Sequence, residues 1–367
     1  MIIGRHFLKD LKYLFSSSIK ADRKKALYIG YTGFGNLGDE ALKEAIFDLF
    51  KTSILFSESR GLLMRSFEQL GLLKFEFLFL GGGTLILRSE DVLKKISDKS
   101  IPKRIIFGTG VANDIFWKDV PGNYGNIKDW TDVLDRVLYL SVRGPISMQM
   151  LKAHNVRKEI QVIGDPVLYF TREISKPKSR SKRLGVNIGF GLSNNKKGFI
   201  WGRNEDAFFL DFLEFVRNML SDGWQVEFIP VNKEDEALID DLLVKNSLQK
   251  IVGVFRGYVS TQKTIDRMEL FDVFVGQKLH ATVLAYCANT PAVMVEYRPK
   301  CRDFMASIDM ERFNVRTDQF NAEIGKKLVE EMYNDLESIR IKGNKICLDY
   351  RSKLIEAAQT VNKIIKA

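Results

Sequence analysis

Residues 275–300 read V-G-Q-K-L-H-A-T-V-L-A-Y-C-A-N-T-P-A-V-M-V-E-Y-R-P-K. The run from Leu270 to Val275 ahead of them has the character of a buried strand, which turns at Gly276. A small-residue helix pattern follows from Ala281 to Ala288, then a second apolar run, Ala292 to Val295. Strand, tight turn, helix and strand make the repeating unit of a parallel α/β sheet. A helix that starts just past a strand end points its free N–H groups and its dipole at whatever lies there, which favours an anion. Lys278, His280, Arg298 and Lys300 crowd this point. Folding alone gives little reason for a histidine and three cations there.

Working outward, the same strand-then-glycine pattern recurs. Ala26–Tyr31 ends in T-G-F-G-N-L-G-D-E-A, with an amphipathic helix expected over Glu40–Lys51. Gly33, Gly35 and Gly38 let a backbone approach a ligand, but the spacing is not the dinucleotide fingerprint. Asp39 reads as a helix cap or as a crevice group beside Asn36. Phe75–Leu80 runs into Gly81, Gly82 and Gly83, more glycine than a plain turn needs. Arg104–Gly110, Val137–Val142 (followed by Arg143) and Gln161–Asp165 complete a first set. In an open parallel sheet such strand ends converge on one crevice, so Arg143 reads as an anion ligand in preference to a solvated surface charge.

A second set begins at Leu184–Phe190 and continues through strands at Gln225–Pro230 and Ile251–Phe255. Helices are expected over Ala207–Ser221, Asp235–Asn246 and Ser260–Phe271. The polar, basic stretch 171–183 reads as the linker, giving domains of 26–170 and 184–320 with helices over 321–367. Two such halves imply a ligand held between them.

At 367 residues, two domains are the default. A 45% hydrophobic and 28% charged composition is that of a globular chain. No apolar run reaches the ~20 residues of a membrane helix, and no signal peptide is evident, so a cytoplasmic location is expected. The formal charge of +10 favours anionic partners, although the scattered basic residues carry no nucleic-acid-binding signature. Residues 1–25 hold seven Lys/Arg against two Asp, with Phe7, Leu8, Leu11, Leu14 and Phe15 on one helical face. That segment reads as a helix packed on its own protein, or as an interfacial helix on an anionic membrane with Lys9 and Lys12 on its polar face. His6 and His154 read as structural or surface residues. Cys287, Cys301 and Cys347 lack metal spacing and an even count, and read as reduced packing residues. There is no nucleophile elbow, P-loop, zinc spacing or close D-x-D. One histidine among cations suits metal-free transfer chemistry on a phosphorylated donor.

The motifs G-x-G-N-x-G-D-E-A, G-G-G, S-V-R-x-x-x-S, G-D-P-V-L, K-L-H-A and E-Y-R-P-K, in this order from about Ala26 to Phe304, resemble the polysaccharide pyruvyltransferase family. The resemblance implies two Rossmann-like domains of GT-B type facing a crevice. It implies transfer of pyruvate from phosphoenolpyruvate, with no cofactor and no metal. The product would be a ketal on a sugar of a cell-wall, exopolysaccharide or capsular glycan, or on its lipid-linked precursor. By that resemblance Arg143, Lys278, Leu279, Arg298 and Lys300 hold the donor, and His280 serves the proton transfers. Asp39 orients or deprotonates the acceptor, with Gly35, Asn36, Gly38, Gly81, Gly82 and Gly83 lining the crevice. Lys278 departs from the arginine usual in the family, replacing a bidentate fork by a point charge. A nucleotide-sugar glycosyltransferase would share the fold, and a non-catalytic glycan-binding subunit would tolerate the departure.

Overall fold

The protein is described from a computed structural model covering residues 10–11, 13–16, 22–58, 60–87, 89–113, 127–178, 180–190, 199–201 and 203–367. The chain forms two compact units. The first comprises Met1–Thr32, Leu42–Pro166 and Lys353–Ala367, and the second Gly33–Ala41 and Val167–Ser352. The change of unit thus falls at Pro166–Val167, ahead of the expected linker 171–183. The glycine-rich turn Gly33–Ala41 and most of the tail group with the second unit.

The first unit carries strands β1 (Lys24–Ile29), β2 (Ile54–Ser57), β3 (Phe77–Leu80), β4 (Thr84–Ile86), β5 (Lys103–Val111), β6 (Tyr139–Val142) and β7 (Gln161–Val162). They pair in the order β2-β1-β3-β5-β6-β7, with β4 on β5, and every pairing is parallel. The apolar tetrapeptide of β3 is buried along its whole length, as a parallel strand covered on both faces must be. Rings of Tyr28, Phe47, Phe50, Phe56, Phe79 and Phe107 interlock edge-to-face and stacked at centroid distances from 4.6 to 5.9 Å.

The second unit carries β8 (Arg183–Asn187), a short antiparallel ribbon of β9 (Phe199–Ile200) and β10 (Arg203–Asn204), then β11 (Gln225–Phe228), β12 (Gly253–Val254), β13 (Val273–Gly276), β14 (Ala292–Glu296) and β15 (Asn314–Arg316). The main sheet runs β12-β11-β8-β13-β14-β15, all parallel. This is the doubly wound order in which the chain reverses direction across the sheet between its first strand, β8, and β13. Phe208, Phe212 and Phe215 of helix Glu205–Ser221 pack with Phe228 of β11 and with Phe320.

Strands β2, β4, β9, β10 and β15 are missing from the sequence-based expectation. Of the basic N-terminal segment, Phe7, Leu8, Lys9, Lys12 and His6 lie outside the described residues. Residues 10–11 and 13–16 are helical, with Asp10 and Tyr13 buried and Leu14 packed on the core. Tyr13 packs near Phe75 and donates to the Leu55 carbonyl, while Leu11 and Phe15 stay exposed. Of the apolar face expected from the sequence, Leu14 therefore turns inward together with Tyr13, whereas Leu11 and Phe15 do not. His154 is the C-cap of helix Pro145–Ala153. All three cysteines are free and buried, and burial pushes the Cys301 thiol up to about 11. Among the described residues, no helix is long and apolar enough to cross a membrane.

Candidate active site

In the second unit the reversal point between β8 and β13 is where a ligand of a doubly wound sheet is expected, outside the carboxyl ends of the strands. Asn187 closes β8 there and is fully buried. Its amide donates to the Ile229 carbonyl (2.8 Å), and its Oδ1 accepts the backbone N–H of Lys278 (3.0 Å). Gln277, also fully buried, accepts the N–H of Gly189 at 2.8 Å. These two amides fix the turn that launches helix Leu279–Cys287, so Lys278 becomes its N-cap and His280 lies in its first turn. A second strand-to-helix turn follows β14, where Lys300 is the first residue of helix Lys300–Ser307.

The cations meet around one ring. Lys278 Nζ, Arg298 Cζ and Lys300 Nζ lie 5.6, 5.3 and 5.1 Å from the centroid of buried Tyr297. Burial drives the Tyr297 hydroxyl far above its ordinary value, with the charges of Asp235 and Asp39 pushing the same way and Arg298 opposing. Both Lys278 and Lys300 stand at helix N-termini, the end of the dipole that repels a cation. The placement is unfavourable for the fold and favourable for an anion.

His280 is 8% exposed, and its imidazole rests on Gly38. A Cβ on Gly38 would overlap the ring at Nδ1. Hydrogen bonds hold the loop that carries Gly38. Leu37 N–H donates to the Val231 carbonyl (2.8 Å), Gly38 N–H to Asn36 Oδ1 (2.9 Å) and Gly33 N–H to Glu40 Oε1 (2.6 Å). Asn36, not Asp39, thus supplies the capping oxygen of helix Leu37–Leu49, and half-buried Asp39 lies in its first turn. The second unit therefore gathers His280, Asp39, Lys278, Leu279, Arg298, Lys300, Asn36 and Gly38. Gly35, at φ +73°, is exposed in the same loop.

Arg143, Gly81, Gly82 and Gly83 belong to the first unit. Arg143 follows β6 and is 2% exposed, which excludes a solvated surface charge. Its Nη2 donates to Thr84 Oγ1 (2.7 Å), and its Nη1 lies 3.8 Å from Asp165 Oδ2. The guanidinium lies against Gly110, where a Cβ would fall 2.6 Å from Nη2. Nε and Nη1 find no hydrogen-bond partner among the described residues. The glycine triplet divides by role. Tyr28 fills the space beside Gly81 and Leu42 that beside Gly82, while Gly83 needs its left-handed φ of +90°.

Sequence reasoning alone misses Asn187, Gln277, Tyr297 and Asp235 as site residues. A polar residue closing an apolar strand run is the available signal for the first two. Nothing in the sequence marks Asp235, which sits in an acidic helix turn like any solvated one.

The fold is shared with solved structures of nucleotide-sugar enzymes. It superposes on a UDP-N-acetylglucosamine 2-epimerase from Listeria monocytogenes with a TM-score of 0.53 at 9% identity, covering 89% of this chain and 91% of that one. The pneumococcal O-GlcNAc transferase GtfA matches with a TM-score of 0.53 at 11% identity, over 83% and 60% of the two chains. MnaA from S. aureus, solved with UDP, gives 0.52 at 11%, over 88% and 91%. These likenesses establish a GT-B-type α/β fold. No curated protein matches the sequence. The polysaccharide pyruvyl transferase model matches residues 7–299, so the chain belongs to the polysaccharide pyruvyl transferase family.

Proposed function

We propose that the protein transfers pyruvate from phosphoenolpyruvate onto two hydroxyls of a sugar, forming a ketal. The sugar belongs to a surface or capsular polysaccharide or to its lipid-linked precursor. One observation carries the reading: Lys278, Arg298 and Lys300 surround the Tyr297 ring at two helix N-termini, beside His280. A donor with a phosphate and a carboxylate suits that cluster of cations.

The chemistry follows from the donor. A proton adds to the enol carbon, and the adjacent carbon becomes oxocarbenium-like. One sugar hydroxyl attacks it and gives up its proton. The carbon–oxygen bond to phosphate then breaks, and the second hydroxyl closes the ring with loss of its own proton. Preorganised cations stabilise the charge as it moves towards phosphate. His280 moves protons near neutral pH, and Asp39 orients or deprotonates the acceptor. Arg143, with Nε and Nη1 outside any hydrogen bond among the described residues, takes an anionic group of the substrates. We place the reaction on the cytoplasmic side, with exposed Leu11 and Phe15 touching an anionic membrane surface. Sedimentation with anionic liposomes, lost on deleting residues 2–15, tests that contact.

The test of the activity is phosphate release from phosphoenolpyruvate labelled with carbon-13 at C2. Lipid-linked glycans, free nucleotide sugars and finished polymers serve as acceptors. Acceptor-dependent release with the label in a ketal carbon is expected. Consumption of a nucleotide sugar with phosphoenolpyruvate untouched would establish glycosyl transfer instead.

A further inference from the structure

Asp235 has no part in the chemistry above, and its setting asks for one. It is the third residue of helix Lys233–Lys245, and its N–H donates to the cap Asn232 Oδ1 at 2.7 Å. Its neighbour Glu234 is exposed, and Glu236 pairs with Arg256 and Tyr258, whereas Asp235 is turned inward and 1% exposed. Its Oδ1 lies 3.5 Å from Lys278 Nζ, long for a hydrogen bond but close for an ion pair. Gly189 makes the meeting possible, since a Cβ there would overlap both the carboxylate and the Lys278 stem. The same ammonium donates to the Phe190 carbonyl and faces the Tyr297 ring.

The charged groups around this carboxyl come from each element packed on it. Lys278 attracts it and Glu234 repels it. Tyr258 and Tyr297 feel its charge, and Arg298 and Lys300 lie beyond the Tyr297 ring. His280 follows Lys278 by two residues. Lost hydration dominates and pushes the carboxyl up to about 6, with Lys278 opposing. An anion arriving at Lys278 repels a charged Asp235 and competes with it for the ammonium. A neutral Asp235 does neither.

We propose that Asp235 is a positioning residue that holds Lys278 while no donor is bound and releases it to the donor anion by taking up a proton. Donor binding is then coupled to protonation of Asp235. The inference rests on the donor-site reading given above. The proton comes from solvent, and no other bond changes.

The probe is sulfoacetate, whose sulfonate and carboxylate both stay ionised above about pH 5.5. Its affinity is measured by calorimetry in the His280→Gln background, so that the imidazole does not contribute, with and without Asp235→Asn. The expected Kd tightens about three- to tenfold from about pH 7.5 to about pH 5.5 with Asp235 present, and stays flat once Asp235→Asn removes the carboxylate. Equal pH slopes in the two proteins overturn the coupling. Titrations of the His280→Gln protein in two buffers of different ionisation heat read the same coupling without the second substitution. Uptake of a fraction of a proton near about pH 6.5 supports it, and zero uptake overturns it. Absence of sulfoacetate and phosphoenolpyruvate binding at every pH overturns the donor-site reading itself.

Discussion

Gly38 is the one residue type that fits beneath the His280 ring. Gly38→Ala should therefore displace the imidazole and lower kcat at least about tenfold, a loss of ~1.4 kcal/mol in transition-state stabilisation. Circular dichroism should be unchanged, because the backbone there needs no left-handed φ. His280→Gln should lower kcat by about 10²–10⁴ while the donor KM shifts only a few-fold. A raised KM with unchanged kcat would reduce His280 to a binding group. Arg143 carries a different expectation, since it neutralises buried Asp165. Arg143→Ala should cost about 3 kcal/mol or more in urea unfolding, because it leaves a buried carboxylate without its cation. Its activity must therefore be compared with its stability.

At the scale of elements, the two helix N-termini oppose stability to function. Removing a cation from the start of a helix relieves an unfavourable charge–dipole interaction of ~0.3–1 kcal/mol. Lys300→Gln should weaken phosphoenolpyruvate binding at least about tenfold, while its melting temperature shifts little as the relieved dipole term offsets the lost cation–π contact with Tyr297. A protein that unfolds earlier with unchanged binding contradicts that role. Asp235 behaves alike on the acidic side. Its folded pKa, about 6, lies above the ordinary 3.8. The folded state therefore binds the proton more tightly, and the stability cost grows as pH rises through that window. Above about pH 6, Asp235→Asn should stabilise the fold by up to about 3 kcal/mol, an advantage that vanishes towards about pH 4. A mutant less stable than wild type at about pH 7.5 would show that the carboxylate serves packing. Elements differ in how far the sequence reveals them. The apolar runs of β3, β13 and β14 are plain because strands covered on both faces are apolar throughout. Four-residue β2 and three-residue β15 carry no flanking glycine and are invisible. His280 and its cations stand out because they clash with the dipole logic of their own helices. Asp235 and Tyr297 do not, because only tertiary packing decides which acidic or aromatic residue turns inward.

For the whole molecule, the formal charge is +10, and the proposed donor is an anion. Phosphoenolpyruvate affinity should fall about threefold or more between about 0.05 and 0.5 M KCl as screening shortens the reach of those charges. Salt-independent affinity would confine the attraction to direct contacts. The family identifies a polysaccharide pyruvyl transferase, and donor choice is the claim on which the rest of the proposal depends. The direct measurement is calorimetric binding of phosphoenolpyruvate to the wild type and to Lys300→Gln, with no acceptor present. Saturable binding that is lost in the variant is the predicted result. No binding of phosphoenolpyruvate to the wild type, alongside saturable binding of a nucleotide sugar that Lys300→Gln retains, would contradict it.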